Sequence, residues 1–503
     1  MPTLAAIDVG SNAIRLAIAE VDGNQQITVV SLLRESVRLG QDVFTSSQIS
    51  EETIDKAVEA FRRFRDAIDK SGARWTRAVA TSATREALNR DLFVDRIAQA
   101  SGIELATIST EEEARLIHLA VAQRIGMRNK AALLVDIGGG STEVTLATGG
   151  TILSTESFKM GAVRMLQQLE GKKHGERHFH QLVQEYVDAT QKRIKREIGN
   201  RTIDLCVGTG GNVDTIGELR RQMLGKDRDS VITLSELDTL VKRLQALTFE
   251  ERVSQLRLRP DRADVIVPAA VILQQIMRQA RVDEAQIPHV GLKDGILIDM
   301  VQELYGDKRA LNRDQVMASA MQLGRKYAFD EQHGTTVARL AVELFDRTRS
   351  LHNLSLEYRL LLEVAALLHD IGTFVNSTDH HKHTQYLLMS SPIVGLTEDQ
   401  TAVVSNVARY HRKSMPRLQH DPYRMLSSKD RVVVSKLAAI LRLADAMDNE
   451  HASKVSDFEV EYKRPKFLVH LRGEGDLLLE KWSLMKKAPM FEEVFSVRLV
   501  LEE

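Results

Sequence analysis

Cysteine is almost missing from this chain. Cys206 is the single one in 503 residues, which excludes an intramolecular disulfide and a cysteine-rich zinc site and fits a reducing compartment. Its place in the apolar stretch Ile203 to Val207 marks it as a small core residue. Long apolar runs are missing too. None approaches the ~18 residues needed to span a bilayer, and MPTLAAIDVG lacks the basic-then-apolar pattern of a secretory signal. The expectation is a cytoplasmic protein with no membrane span. Charge of one sign is also lacking: 68 Lys and Arg balance 69 Asp and Glu for a net −1. Nucleic acid is therefore not an expected partner, and any polyanion needs a local basic surface. No Pro- or Gly-rich linker separates domains. There is no G-x-x-x-x-G-K-[ST], which excludes a P-loop enzyme, and Gly208 to Val213 lacks the third glycine of a dinucleotide fingerprint.

What is present begins with a repeat. Asp8-Val9-Gly10-Ser11-Asn12-Ala13-Ile14-Arg15 returns, without gaps, as Asp136-Ile137-Gly138-Gly139-Gly140-Ser141-Thr142-Glu143. An apolar run precedes each phrase and an alternating run follows, the pattern of strand, tight turn, strand. Two such turns facing each other across a cleft suit a metal and a chain of phosphates. The length allows three or four domains. The first third reads as strands Leu4–Val9, Ile14–Val21 and Ile27–Leu33, then a helix opened by Ser50 and ended by Gly72. A strand from Arg77 to Ala80 runs into a Thr/Ser-capped turn, a strand Ile103–Ile108 follows, and Thr110 starts a helix. The same three-strand pattern restarts at Ala131 and continues to a strand Ile203–Val207 and a turn Gly208–Asn212. Helical periodicity dominates from about 305 to 450, and the tail from Phe458 to Val500 returns to alternating β-like runs. Four domains are expected, at 1–125, 126–304, 305–452 and 453–503.

Asp8, Asp136 and Glu143 are hard oxygen ligands of the kind Mg²⁺ prefers. The glycine runs can bring backbone N–H groups close to phosphate oxygens, and Arg15 and Arg85 can grip them bidentately. Acids in a first helical turn stabilise the helix dipole, which accounts for at least two of Glu111, Glu112 and Glu113. A third projecting into the cleft is a candidate general base, and spacing leaves open which one.

The ordered phrases DVGSNAIRL, ATSATREALN, STEEEARLI, DIGGGSTE, GTGGN and GLKDGIL, spread over residues 4 to 300, resemble the exopolyphosphatase/guanosine pentaphosphate phosphohydrolase (Ppx/GppA) family. The resemblance implies an α/β fold: two actin-like, ribonuclease-H-like domains, each a mixed sheet with helices, then an all-α HD-type domain and a small α+β C-terminal domain. It implies Mg²⁺-dependent release of orthophosphate from the end of polyphosphate, or of the terminal phosphate of pppGpp, and a homodimer. It places the catalytic glutamate on Glu113, with Glu112 as rival, and the metal and water-positioning acids on Asp136 and Glu143, with Asp8 nearby. It places the phosphate loops on Ser11, Asn12 and Arg15, on Arg85, on Gly139, Gly140, Ser141 and Thr142, and on Gly208, Gly210, Gly211 and Asn212.

In the C-terminal half, His333, His369-Asp370 and Asp445 follow the order of the HD phosphohydrolase superfamily. Two imidazoles and two carboxylates suit Mn²⁺ or another transition metal, Asp370 can bridge two ions, and His380, His381, His383 and His411 are further candidates. Basic runs at Lys192–Arg196, Arg252–Arg262, Arg409–Lys413, Met415–Arg417 and Tyr462–Lys466 fit either solvated helix faces or a polyanion channel. The leading expectation is a processive exopolyphosphatase. The alternatives are a pppGpp 5′-phosphohydrolase, both activities together, or a weakly hydrolytic alarmone-binding regulator.

Overall fold

The computed structural model describes residues 2–502 except 128, 171–184, 187, 190–191, 194, 196–197, 200 and 306–307, with backbone alone at 168–170 and 308–312. The chain forms two compact units, Met1–Lys308 and Arg309–Glu503.

The first unit holds two sheets of one topology. In the first, strands β1 (Thr3–Val9), β2 (Ile14–Val21), β3 (Ile27–Glu35), β4 (Trp75–Ala80) and β5 (Leu105–Thr107) take the order β3-β2-β1-β4-β5. The second is built from β6 (Ala131–Ile137), β7 (Thr142–Thr148), β8 (Thr151–Phe158), β9 (Leu205–Thr209), β10 (Val231–Thr233) and β11 (Glu284–Gln286), in the order β8-β7-β6-β9-β11-β10. Both therefore run third, second, first, fourth, fifth, and the short β10 is an addition. In each, the first strand pairs antiparallel with the second and parallel with the fourth.

Both central strands are buried on both faces, so the two parities serve different cores. Ala5, Ile7 and Val9 of β1 pack under the helix Glu51–Ser71, capped by the Ser50 side chain and closed by Gly72 in the left-handed conformation. Leu133, Val135 and Ile137 of β6 pack with the apolar helix Ile266–Ala280. The other parity of both strands, Leu4 and Ala6 with Ala132 and Leu134, enters one shared core together with Leu116, Ile117, Ile296 and Met300 from the helices Thr110–Arg124 and Leu292–Tyr305. Continuing that parity to the strand ends brings Asp8 and Asp136 out where this shared core opens.

The expected strand Ile103–Ile108 is shorter, Leu105–Thr107. The expected turn Gly208–Asn212 is divided between the end of β9 and the start of a helix, Gly211–Leu224.

The second unit is helical up to Ala446 and then forms the sheet β12 (Val455–Lys463), β13 (Lys466–Gly473) and β14 (Arg498–Leu501). One continuous core joins its helices to this sheet, with Phe345, Leu441 and Tyr410 alongside Phe458, Phe467 and Phe491. The tail also contains a helix, Leu478–Phe495, where β-like alternation was expected. Among the described residues, no helix is long and apolar enough to cross a membrane.

Candidate active site

The strand register explains why the two halves of the repeat differ. In β1–β2, Asp8 lies opposite Arg15, and the pair closes as an ion pair of 2.9 Å. In β6–β7, the same positions put Asp136 opposite Glu143. Two carboxylates in directly opposed positions repel each other unless a proton or cation lies between them. Glu113 adds a third. It sits one turn before Leu116 and Ile117 on the same helix face, so docking that face into the shared core carries it to the same place. One oxygen from each of Glu113, Asp136 and Glu143 lies within 4.8 Å of the others.

Burial and mutual repulsion show in the acidities. Desolvation raises Asp136 to about 6, although the Thr209 hydroxyl donates to it at 2.7 Å. Desolvation and the Asp136 charge raise Glu143 to about 7, against hydroxyl donation from Ser157 at 2.9 Å. Glu113 is held well above the ordinary carboxylate range by burial and by Glu143, with Arg85 opposing at 3.4 Å. Glu143 Oε2 is buried with no hydrogen-bond partner. Three crowded acids with an unpartnered oxygen fit a divalent cation bound by carboxylates and water, which is the Mg²⁺ chemistry expected. Asp8 lines the same cleft, but its carboxylate is held by Arg15 rather than offered to this set.

The run of glutamates is resolved by its neighbours. Ser109 caps the helix, and Arg115 grips Glu112 with two bonds of 2.7 Å. Glu113 alone of the three is buried in the cleft.

The two turns face each other. Gly10 and Gly138 close them identically, each N–H donating to a carbonyl three residues on at 3.1 Å. A Cβ on Gly139 would lie 3.0 Å from the Ser11 Cβ, and Ser11 shares a 3.0 Å hydroxyl bond with Ser82. The carbonyls of Gly138, Gly139 and Gly140 accept from the backbone N–H groups of residues 161–164. A trans peptide holds its C=O and N–H on opposite sides, so the N–H groups of Gly139, Gly140 and Ser141 point away from that strap.

Ser11, Asn12, Arg15, Gly139, Ser141, Gly210, Gly211 and Asn212 all line the cleft. Arg85 approaches through Glu113 and is anchored on the Ile108 carbonyl at 2.6 Å. Three expected phosphate contacts are placed elsewhere. The Thr142 hydroxyl donates to the Met160 carbonyl, Gly208 lies within β9 against Val213, and the α-carbon of Gly140 is wedged beside Phe44 and Ser82.

Arg262 was missed as an individual residue, because the run Arg252–Arg262 reads as a solvated face. It is only 6% exposed, donates to Asn212 Oδ1, and lines the cleft. Burial and the nearby Arg15 and Arg34 push its guanidinium down to about 10. A buried cation among cations marks a place built for an anion. Lys293, in the phrase GLKDGIL, lines the cleft as well. Of the run Lys192–Arg196, residues 194 and 196 lie outside the described residues.

Residues 17–304 match the model of the Ppx/GppA phosphatase family, and residues 316–487 match that of Ppx/GppA phosphatase, domain III. A Vibrio parahaemolyticus guanosine-5′-triphosphate,3′-diphosphate pyrophosphatase is 29% identical over 445 residues, covering 88% of this chain and 87% of its own. The Vibrio vulnificus protein of the same name is 28% identical over 421 residues, covering 83% and 82%. Among solved structures, an exopolyphosphatase from Cytophaga hutchinsonii superposes with a TM-score of 0.56 at 25% identity, covering 60% of this chain and 98% of its own. The Aquifex aeolicus Ppx/GppA family member, at 24% identity and a TM-score of 0.51, shares the fold over 60% of this chain and 98% of its own. This chain belongs to the Ppx/GppA phosphatase family.

Proposed function

We propose that the chain hydrolyses the terminal phosphoanhydride of guanosine 5′-triphosphate 3′-diphosphate, releasing orthophosphate. The observation that carries hydrolysis is the close set of Glu113, Glu143 and the half-buried Asp136 at the mouth of two facing glycine turns. The choice of substrate rests on relatives named for that reaction that align over more than four-fifths of this chain. Exopolyphosphatase action is the second reading, favoured by the Cytophaga structure.

In this reading Asp136 and Glu143 hold Mg²⁺, which when bound neutralises charge on the terminal phosphoryl group. The backbone N–H groups of Gly139 and Ser141 and the guanidinium groups of Arg15 and Arg262 orient the phosphate oxygens. Glu113, carried by a separate helix, takes a proton from the attacking water while Arg85 fixes its carboxylate. No covalent intermediate is needed. General-base loss typically costs about 10²–10⁴ in rate, so Glu113→Gln is expected to lose at least about 100-fold in kcat while still binding substrate. The assay offers purified protein with Mg²⁺ the alarmone, long-chain polyphosphate and ATP, and measures orthophosphate. Preference for polyphosphate selects the second reading, and near-wild-type turnover by Glu113→Gln removes it from the mechanism.

A further inference from the structure

A buried cation stands behind the second glycine turn, on the side of its carbonyls. Arg164, in the first turn of the helix Ala162–Glu170, is 7% exposed and does not itself line the cleft. Its own N–H donates to the Gly139 carbonyl at 3.0 Å, and its Nε donates to the Gly140 carbonyl at 2.7 Å. Nη2 meets Glu86 Oε1 at 2.6 Å, and the guanidinium carbon stands 3.9 Å from the centroid of the Phe44 ring. Arg164 follows the strands β6 to β8 of the second sheet, whereas Phe44 and Glu86 belong to the stretch that builds the first. One side chain therefore ties the turn to the opposite half of the cleft.

An ion pair with Glu86 would satisfy the buried charge, and the bond to Gly140 goes beyond that need. The carbonyls of Gly138 and Gly139 accept from backbone N–H groups; that of Gly140 accepts the Gly161 N–H at 3.2 Å and, at shorter range, the cation. A charged donor makes a hydrogen bond roughly twice as strong as a neutral one. The Gly140 carbonyl and the Ser141 N–H belong to a single peptide, joined by the resonance that keeps it planar. A cation at the oxygen draws electron density from the nitrogen, and the N–H becomes a stronger donor. Ser141 lines the cleft.

The far end of Arg164 sets geometry. Glu86 ends the helix Ser82–Glu86, which also carries Ser82, bonded to Ser11 at 3.0 Å, and Arg85, which reaches Glu113 at 3.4 Å. We propose that Arg164 is a positioning residue for the reacting phosphoryl group. It polarises the Gly140–Ser141 peptide toward the phosphate and, through Glu86, holds that peptide at fixed reach from Arg85 and Glu113. The assignment rests on phosphate lying between the two turns, whichever substrate delivers it.

The probe is orthovanadate with Mg²⁺, titrated calorimetrically into the full chain, since it can occupy a phosphoryl site without turnover. Orthophosphate release is measured beside it. Outright loss of an oxyanion donor costs about 10²–10³ in kcat, and weakening one through its peptide costs less, so Arg164→Met is expected to lose about tenfold in vanadate affinity and in kcat/KM. Arg164→Lys, which keeps the cation, is expected to recover most of that loss. A merely structural Arg164 would lower the melting temperature of both variants and leave vanadate affinity of the folded protein unmoved. Glu86→Gln is expected to lose about threefold, the size of a partly exposed ion pair. Adding it to Arg164→Met should cost nothing more, because the two side chains act as one unit. Unchanged affinity in folded Arg164→Met, or a Lys variant no better than the Met variant, overturns the proposal. Should Arg164→Met fail to fold, unchanged affinity in Glu86→Gln overturns it instead. The titrations decide the role of Arg164 even if wild-type protein releases no orthophosphate from the alarmone, a result that would overturn the substrate reading alone.

Discussion

Arg220 grips Glu236 through parallel bonds of 2.8 and 3.0 Å, while the Thr233 N–H donates to the same carboxylate at 3.0 Å to complete a capping box. Donation from Arg220 foremost lowers Glu236 from 4.5 to about 2. A carboxyl depressed in the folded state adds stability that is fully present above its unfolded value and lost as pH falls through the folded one. The window here is roughly pH 4.5 down to about 2. At about 1.4 kcal/mol per pH unit, the ceiling is roughly 3 kcal/mol. Glu236→Gln is therefore expected to unfold about 2 kcal/mol more easily at pH 7, with the deficit shrinking by pH 3. Urea melts at both pH values check it. A deficit equal at the two would mean that the carboxylate contributes through its shape and not its charge.

At the scale of elements, the legible part of the sequence was whatever repeated or alternated. The gap-free phrase and period-2 runs placed β1–β2 and β6–β7 within a residue or two of their observed limits. Spacing could not show what lies across a sheet or beneath a turn, so the pairing of Asp8 with Arg15 and of Asp136 with Glu143 came from the register alone. The helix Leu478–Phe495 escaped because its pattern is inverted: Glu480 and Ser483 are buried, Leu478, Leu479 and Trp482 are exposed, and Pro489 interrupts it. The strap at residues 161–164 also escaped, since backbone N–H groups make most of its bonds to the turn, with Arg164 Nε adding one to the Gly140 carbonyl at 2.7 Å. A Cβ on Gly161 would overlap the backbone of Gly139 and Gly140, which cannot yield as a side-chain tip would. Overpacking of this kind typically costs about 1–3 kcal/mol. Here it would also tilt the peptides that present N–H groups to phosphate. Gly161→Ala is expected to lower kcat/KM at least about tenfold with a reduced melting temperature. Wild-type values of both would show that the strap does not set the turn.

For the molecule as a whole, every residue assigned to phosphate hydrolysis, from Asp8 to Lys293, belongs to the unit Met1–Lys308. That unit has its own cores, two about the individual sheets and one shared between them. The Cytophaga structure spans 60% of this chain with 98% of its own length, so that solved chain folds without a counterpart to the rest. A chain ended at residue 308 is therefore expected to fold alone, melt cooperatively, and release phosphate from the alarmone within about tenfold of the full-length rate, because chemistry built from local positioning travels with its scaffold. Circular dichroism melts and orthophosphate release on the fragment decide the matter. A cooperative melt with no turnover would mean that the second unit supplies part of the reacting site, and loss of cooperative folding would mean that the cores of Met1–Lys308 are insufficient by themselves.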